Sequence, residues 1–287
     1  MDLNGLVFSR LSSDPSIARA LAKYDDQPAI FNTEFPADQQ DGWGGETQYP
    51  RISYRFNMQV DTKRSSSGTL MVSIFALSPI IAEEIEMYVR NSLKDVLMKP
   101  TGEAPVCVAW QRTDPFLLEG NKVYANDITF DILEFPAQET TDPDPVMALS
   151  YYIKDLFPDS AVLGVDEVGD YTSPADTPIF YCQLQSITLT DGPCQNTVMW
   201  FIAGISVHLL CPDASNRLKM VAAINQRLAI DAEVIMLDDS PMTIQSLRMD
   251  NRADYLREGQ LVVSGHYGCL RDGAVGHNTT GISLSTN

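Results

Sequence analysis

Between residues 52 and 60 every second position is apolar. Ile52, Tyr54, Phe56, Met58 and Val60 alternate with Arg51, Ser53, Arg55, Asn57 and Gln59, the two-residue period of a strand with one buried face. The polar run 61–68 breaks that alternation and predicts a projecting hairpin tip, and strand character resumes over 69–77. From Pro79 the period lengthens. Ile81, Ile85, Tyr88, Val89, Leu93, Val96 and Leu97 fall on one side, with Glu83, Glu84, Glu86, Arg90 and Lys94 on the other, which predicts an amphipathic helix over 79–98. Two strands follow, over 106–113 and 123–135, the second carrying Ile128, Phe130 and Ile132 in alternation. Ahead of all these, a helix is expected over about 15–24. Ser13 or Asp14 would cap it, Pro15 suits its first position, and Ile17, Leu21 and Tyr24 form its apolar side. A breaker-rich loop with Pro28, Pro36 and Gly42-Trp-Gly-Gly45 separates this helix from the strands.

The succession then recurs. Ser73-Ile-Phe-Ala-Leu-Ser-Pro79 returns as Ser206-Val-His-Leu-Leu-Cys-Pro212, at an offset of 133, and Asp14-Pro15 returns as Asp144-Pro145. Met147, Leu149, Ile153, Leu156 and Phe157 supply the apolar side of a helix beginning at 144–145. A loop over 164–178 precedes Pro178-Ile-Phe-Tyr181, which answers Pro50-Arg-Ile-Ser-Tyr54. Strand character around Ile187 and Leu189 turns at Asp191-Gly-Pro193 and returns over 198–210. A helix over 212–228 and a last strand over 261–267 complete the series, Leu261 standing 133 residues after Ile128. Self-similarity of this length means repeated structural units. The expected fold class is α+β, with two tandem copies of an antiparallel sheet and two helices packed on one face of each. The units are expected at 1–138 and 146–270, joined by the proline-rich linker 139–145 and followed by a flexible polar tail, 271–287.

Charge narrows the choice of partners. The formal net charge is −18, with −8 in residues 1–140 and −10 in the remainder, which argues against a surface that wraps nucleic acid. No signal peptide or membrane-spanning run is expected from the sequence. Cys107, Cys182, Cys194, Cys211 and Cys269 contain no CxxC pair and read as small hydrophobes in a reducing compartment.

Candidate chemistry is sparse. His208 and Cys211 form a lone HxxC pair, short of the four ligands of a structural zinc, and a cluster with His266 and Cys269 would need the fold to assemble it. His277 falls in the tail. The Gly42–Gly45 loop lacks the Lys-Ser/Thr of a phosphate loop, and Asp25-Asp26 and Asp238-Asp239 read as turns. No catalytic, cofactor-binding or metal-binding residue is expected, and no cofactor. Lys63 and Arg64, at the hairpin tip of an acidic chain, are either a solvated turn or a contact to a neighbouring subunit. Trp43 is either an interface anchor or folded back on its own unit.

The initial helix, the Pro-x-Ile-x-Tyr strand start at Pro50–Tyr54, the polar hairpin and the strand–helix–strand–strand order resemble the tail-terminator (tail-completion) proteins of long-tailed bacteriophages. The likeness covers about residues 10–135 and 144–270, although the family is usually single-domain. It implies a non-enzymatic virion protein, made in the host bacterial cytoplasm, whose copies self-associate into a ring capping the tail tube and meeting the head–tail connector. Genome DNA would pass through the channel without specific binding. Two units per chain would allow a trimer with pseudo-sixfold symmetry or a hexamer. The hairpin loops at 61–68 and 190–196 would contact the tube, and an acidic wall would repel the genome. The alternatives are another phage neck or baseplate structural protein, or a ligand- or carbohydrate-binding module. For the last of these, Trp43, Tyr49, Trp110 and Trp200 are dispersed in sequence.

Overall fold

The computed structural model describes residues 1–36, 43–58, 67–118, 122–190 and 198–270, and these form an α+β structure on two large mixed sheets and a small two-stranded one. The first half of the chain runs α1 (Leu3–Ser13), α2 (Pro15–Ala20), β1 (Lys23–Tyr24), β2 (Gln27–Pro28), β3 (Ile30–Asn32), a 3-10 turn (Gly45–Gln48), β4 (Arg51–Met58), β5 (Gly68–Ala76), α3 (Pro79–Leu93), β6 (Leu97–Met98), β7 (Val106–Leu118) and β8 (Val123–Glu134). The second half runs α4 (Pro145–Leu156), β9 (Ala161–Val162), β10 (Tyr171–Thr172), β11 (Ile179–Leu189), β12 (Val198–Leu210), α5 (Ala214–Asp231), β13 (Glu233–Ile235), β14 (Pro241–Met249) and β15 (Leu261–Leu270). Among the described residues no helix is long and apolar enough to cross a membrane.

The first sheet has the order β10-β6-β7-β8-β5-β4-β3 and the second β13-β14-β15-β12-β11-β9. Each contains one parallel pair, β3 with β4 and β9 with β11, where the sequence led us to expect antiparallel pairing throughout. Both sheets carry a bulge on the strand outside the last one, between Trp110 and Arg112 in β7 and between Ile244 and Ser246 in β14. Val72 pairs with Ile128, and Ile205 pairs with Val263. The offset along the last strand is therefore 135, two more than the sequence match of Leu261 to Ile128.

Alternation places each core. Ile52, Tyr54, Leu70, Val72, Ile74, Ile128 and Phe130 bury one face of the first sheet under Leu6, Val7 and Leu11 of α1, Ile17 of α2, and Ile85 and Val89 of α3. Three helices cover this sheet where two were expected. On the second, Phe180, Cys182, Ala203, Ile205, Val207 and Val263 pack against Leu149 and Ile153 of α4 and Val221, Ile224 and Leu228 of α5.

Capping fixes the helix starts. Asp14 accepts from the N–H groups of Ser16 and Ile17, Asp144 from those of Val146 and Met147, and Asp213 from that of Asn216. Hence α5 begins at Ala214, two residues after the expected Pro212. The first expected helix ends at Ala20, and Tyr24 enters a tight hairpin whose corner residues Asp25 and Asp26 have φ of 47° and 63°. Likewise α3 stops at Leu93, not at residue 98. Asp95 takes φ 61°, the chain leaves the helix, and Leu97 and Met98 become a buried strand.

Asp144 also accepts from the backbone N–H and the hydroxyl of Thr140, so one carboxylate ties the 139–145 segment to α4. Asp144→Ala is expected to cost about 1–2 kcal/mol. Chemical denaturation checks this, and an unchanged midpoint would show the cap to be idle.

Candidate functional site: the seam between the sheets

The helix-free faces of the two sheets meet at one corner. Leu97, Cys107, Ala109, Leu133 and Phe135 of the first half pack there against Leu163, Ile179, Tyr181, Leu210 and Leu256 of the second. Strand alternation makes this possible, because each of these strands already commits its other face to a helix-covered core. The Phe135 and Tyr181 rings meet edge-on at 5.3 Å, and the Tyr181 hydroxyl donates to the Pro136 carbonyl at 2.9 Å. Strand β10, from the second half, extends the first sheet by pairing with β6. Tyr171 on β10 donates to the Leu6 carbonyl at 2.7 Å.

A polar clasp rims this apolar seam. The loop between β14 and β15 reaches back, and Tyr255 donates to Asp95 Oδ2 at 2.6 Å. Burial pushes the Asp95 carboxyl up from its ordinary range, against the pull of that hydrogen bond and of Lys94. Burial and the Asp95 carboxylate together hold the Tyr255 phenol well above its usual value. The Arg217 guanidinium lies over the Tyr255 ring, 4.5 Å from its centroid. Two residues on, Arg257 pairs with Asp254 at 2.8 Å and, across the seam, with Asp131.

Under this loop lies His208, 2% exposed. Its Nε2 is 3.3 Å from the Ser206 hydroxyl and its ring is 5.7 Å from that of Tyr181. Burial lowers its pKa to about 4, although the nearby backbone of Tyr255 and Leu256 and the charge of Asp254 pull the other way. Gly259 lets the loop pass this closely. With φ +74°, a Cβ there would stand 2.9 Å from the Val207 carbonyl oxygen and 3.1 Å from His208 Cδ2. Beside the seam opens a cleft of about 690 Å³, lined by Phe135, Pro136, Leu163, Val165, Lys99 and Glu103 among others. What this arrangement does chemically is hold: it fixes one sheet against the other.

The residues singled out from the sequence are not gathered here. Lys63 and Arg64 lie outside the described residues, as do Cys194, His277 and the loop at 191–197. Trp43 takes the inward of its two alternatives. It is 3% exposed and packs edge-on against Tyr24 at 5.1 Å and Phe31 at 5.6 Å, which removes it from the surface candidates. His208 and His266 stand apart. His266 stacks on Trp200 at 4.9 Å and pairs with Ile202, six residues along β12 from His208. Among the described residues no group of three or more His, Cys, Asp or Glu side chains is placed to hold a metal ion. Cys107, Cys182 and Cys211 are buried and Cys269 is half-buried, all as free thiols. Sequence reasoning missed the clasp itself. Asp95 and Tyr255 are 160 residues apart and belong to no motif.

No family model matches the chain, and no curated protein matches it. Among solved structures, a chain from "Virion of native gene transfer agent (GTA) particle" is similar to 46% of this chain and 94% of its own length, at 13% identity and a TM-score of 0.36. A likeness at that level assigns neither fold nor function.

Proposed function

We propose that the protein is a non-enzymatic virion component that assembles into a ring, capping a bacteriophage tail tube and joining it to the head–tail connector. In this reading the chain is a tandem duplication of a tail-terminator-like unit, with units at 1–138 and 146–270, a linker at 139–145 and a polar tail at 271–287. One observation carries the reading. Apart from α1, the β1–β2 hairpin and β10, which have no counterpart in the other half, both halves run helix, short strand, long hairpin, helix, short strand and two long strands, and the corresponding strands take the same order in the two sheets. Two such units locked together by an apolar seam present one fixed two-unit block to the next copy, and a cyclic ring is built from identical blocks meeting head to tail.

The partners in this reading are further copies of the chain, the tail tube protein and the connector, with the genome passing through the channel unread. The acidic charge keeps DNA from adhering, and Lys63 and Arg64 are the basic contacts of the first hairpin with a neighbouring subunit. Replacing both with Glu is expected to abolish ring assembly while leaving the unfolding transition unchanged. Light scattering of purified protein, alone and with tail tube protein, tests this. Rings that persist in the Lys63→Glu, Arg64→Glu variant would remove the hairpin contact. Monomers of the unaltered protein under both conditions would remove the ring.

A further inference from the structure

Resting on that ring reading, we infer that successive copies of the chain are joined by strand addition in the second sheet. The open edge of β14 in one copy pairs with the open edge of β11 in the next. Backbone direction identifies both edges. The N–H of Asp250 donates to the Gln260 carbonyl, so Asp250 turns toward β15, and Leu247 and Met249, of opposite parity, turn away from it. The N–H of Thr190 donates to the Trp200 carbonyl, so Ile187 and Leu189 turn away from β12. Among the described residues no strand lies beyond β14 at Leu247–Met249 or beyond β11 at Ile187–Leu189, because β13 covers only Pro241–Thr243 and β9 only Ile179–Phe180.

The first sheet is closed to the equivalent joint. The backbone N–H of Asp95 donates to the carbonyl of Val108, so Val108 faces outward from β7. The bulge after Trp110 shifts the parity by one residue, as the bulge in β14 does between outward-facing Ile244 and outward-facing Leu247. Pro115 therefore turns its nitrogen to the edge and has no hydrogen to offer, a device that blocks strand addition. Pro115 pairs with Asn126 and Met249 with Leu261, and 261 is the position that the 135-residue register offset assigns to 126. Met249 thus occupies the place of Pro115 and leaves it open.

The occupant is a second copy because the two edges match. In the sheet β14 and β11 run antiparallel to each other, so a head-to-tail union is antiparallel. Each edge offers two outward residues whose side chains lie on the helix-covered side. Union would extend that apolar layer over Leu189, now 48% exposed. The segment Gln185–Leu189 carries no charge, so Arg248 would meet no like charge there. β9 and β13 shield opposite ends of the sheet, so the copies must join with a stagger along the strands, the displacement that a closed tilted sheet requires.

Met249→Pro transplants the first sheet's own block to the second and tests the joint in the full chain. The expected result is a folded monomer in sedimentation, with the thermal transition retained, where the unaltered protein sediments as a ring. A second arm keeps the test decisive if M249P does not fold. In the T188C, R248C double variant the two thiols lie on the same face of opposite edges, three strands across and four residues along the sheet from each other, roughly 20 Å apart within one copy by strand spacing and rise, too far to bridge. Oxidised rings should therefore give a ladder of covalent multimers on a non-reducing gel, absent from either single variant. Rings formed by folded M249P, or rings of the double variant without the ladder, would overturn the joint and leave the ring standing. Failure of the unaltered protein to form rings would instead refute the reading on which it rests.

Discussion

Tyr181→Ala is expected to cost about 3–5 kcal/mol and to uncouple the two sheets. The value is that of truncating a buried aromatic side chain. Tyr181 is 3% exposed and sits at the centre of the seam, where its ring meets Phe135 and His208 and its hydroxyl donates to Pro136. The loss is large against the ~5–15 kcal/mol by which a typical domain is stable. It also falls on contacts between halves and leaves the helix-covered cores intact, since Phe180 and Cys182, its neighbours on β11, point the other way. Differential scanning calorimetry should show one transition for the unaltered chain and two for the variant. A single transition with an unchanged midpoint in Tyr181→Ala would show that the seam does not couple the halves.

The second large effect is a dependence of stability on pH through His208. In the unfolded chain this imidazole takes up a proton near its ordinary value of 6.5, and in the folded protein only near about 4. The folded state is therefore favoured most above pH 6.5, loses that advantage as the pH falls from 6.5 to 4, and changes no further from this source below 4. The gap corresponds to about 3 kcal/mol. Asp95 acts in the opposite sense. Its raised pKa lets the folded state take up a proton before the unfolded one, which returns part of the loss at the acid end. Comparison with His208→Phe, which installs the residue found at position 75 of the first half, isolates the histidine. Urea unfolding at pH 7 and at pH 4 should show the unaltered protein losing about 3 kcal/mol more than the variant. Equal losses would mean that His208 is not held neutral by burial.

Much of the fold was legible in the alternation of Ile52–Met58 and in the 3.6-residue period after Pro79, since both report a single buried face. The signal failed where a segment is buried without periodicity. Val96–Met98 continues the apolar stripe of α3, yet the left-handed turn at Asp95 makes it a strand, and an apolar run alone cannot distinguish the two. β14 was missed because Thr243, Gln245, Ser246 and Arg248 dilute its apolar residues. α1 was missed because Leu6, Val7 and Leu11 are its only buried positions. The seam left no trace in the sequence. It is assembled from the second faces of strands whose first faces dominate the pattern, and its clasp joins residues brought together only by the long β14–β15 loop. The strand register, which sets the last strands of the two sheets 135 residues apart where the motif match had 133, also places Met249 in the position that Pro115 takes in the first sheet, which no alignment by motif would have done.

Electron microscopy of the purified full chain tests the central claim most directly. The account predicts closed rings with a central channel, of three or six chains, binding end-on to tail tubes. A uniform population of monomers, unchanged when tail tubes are added, would contradict it.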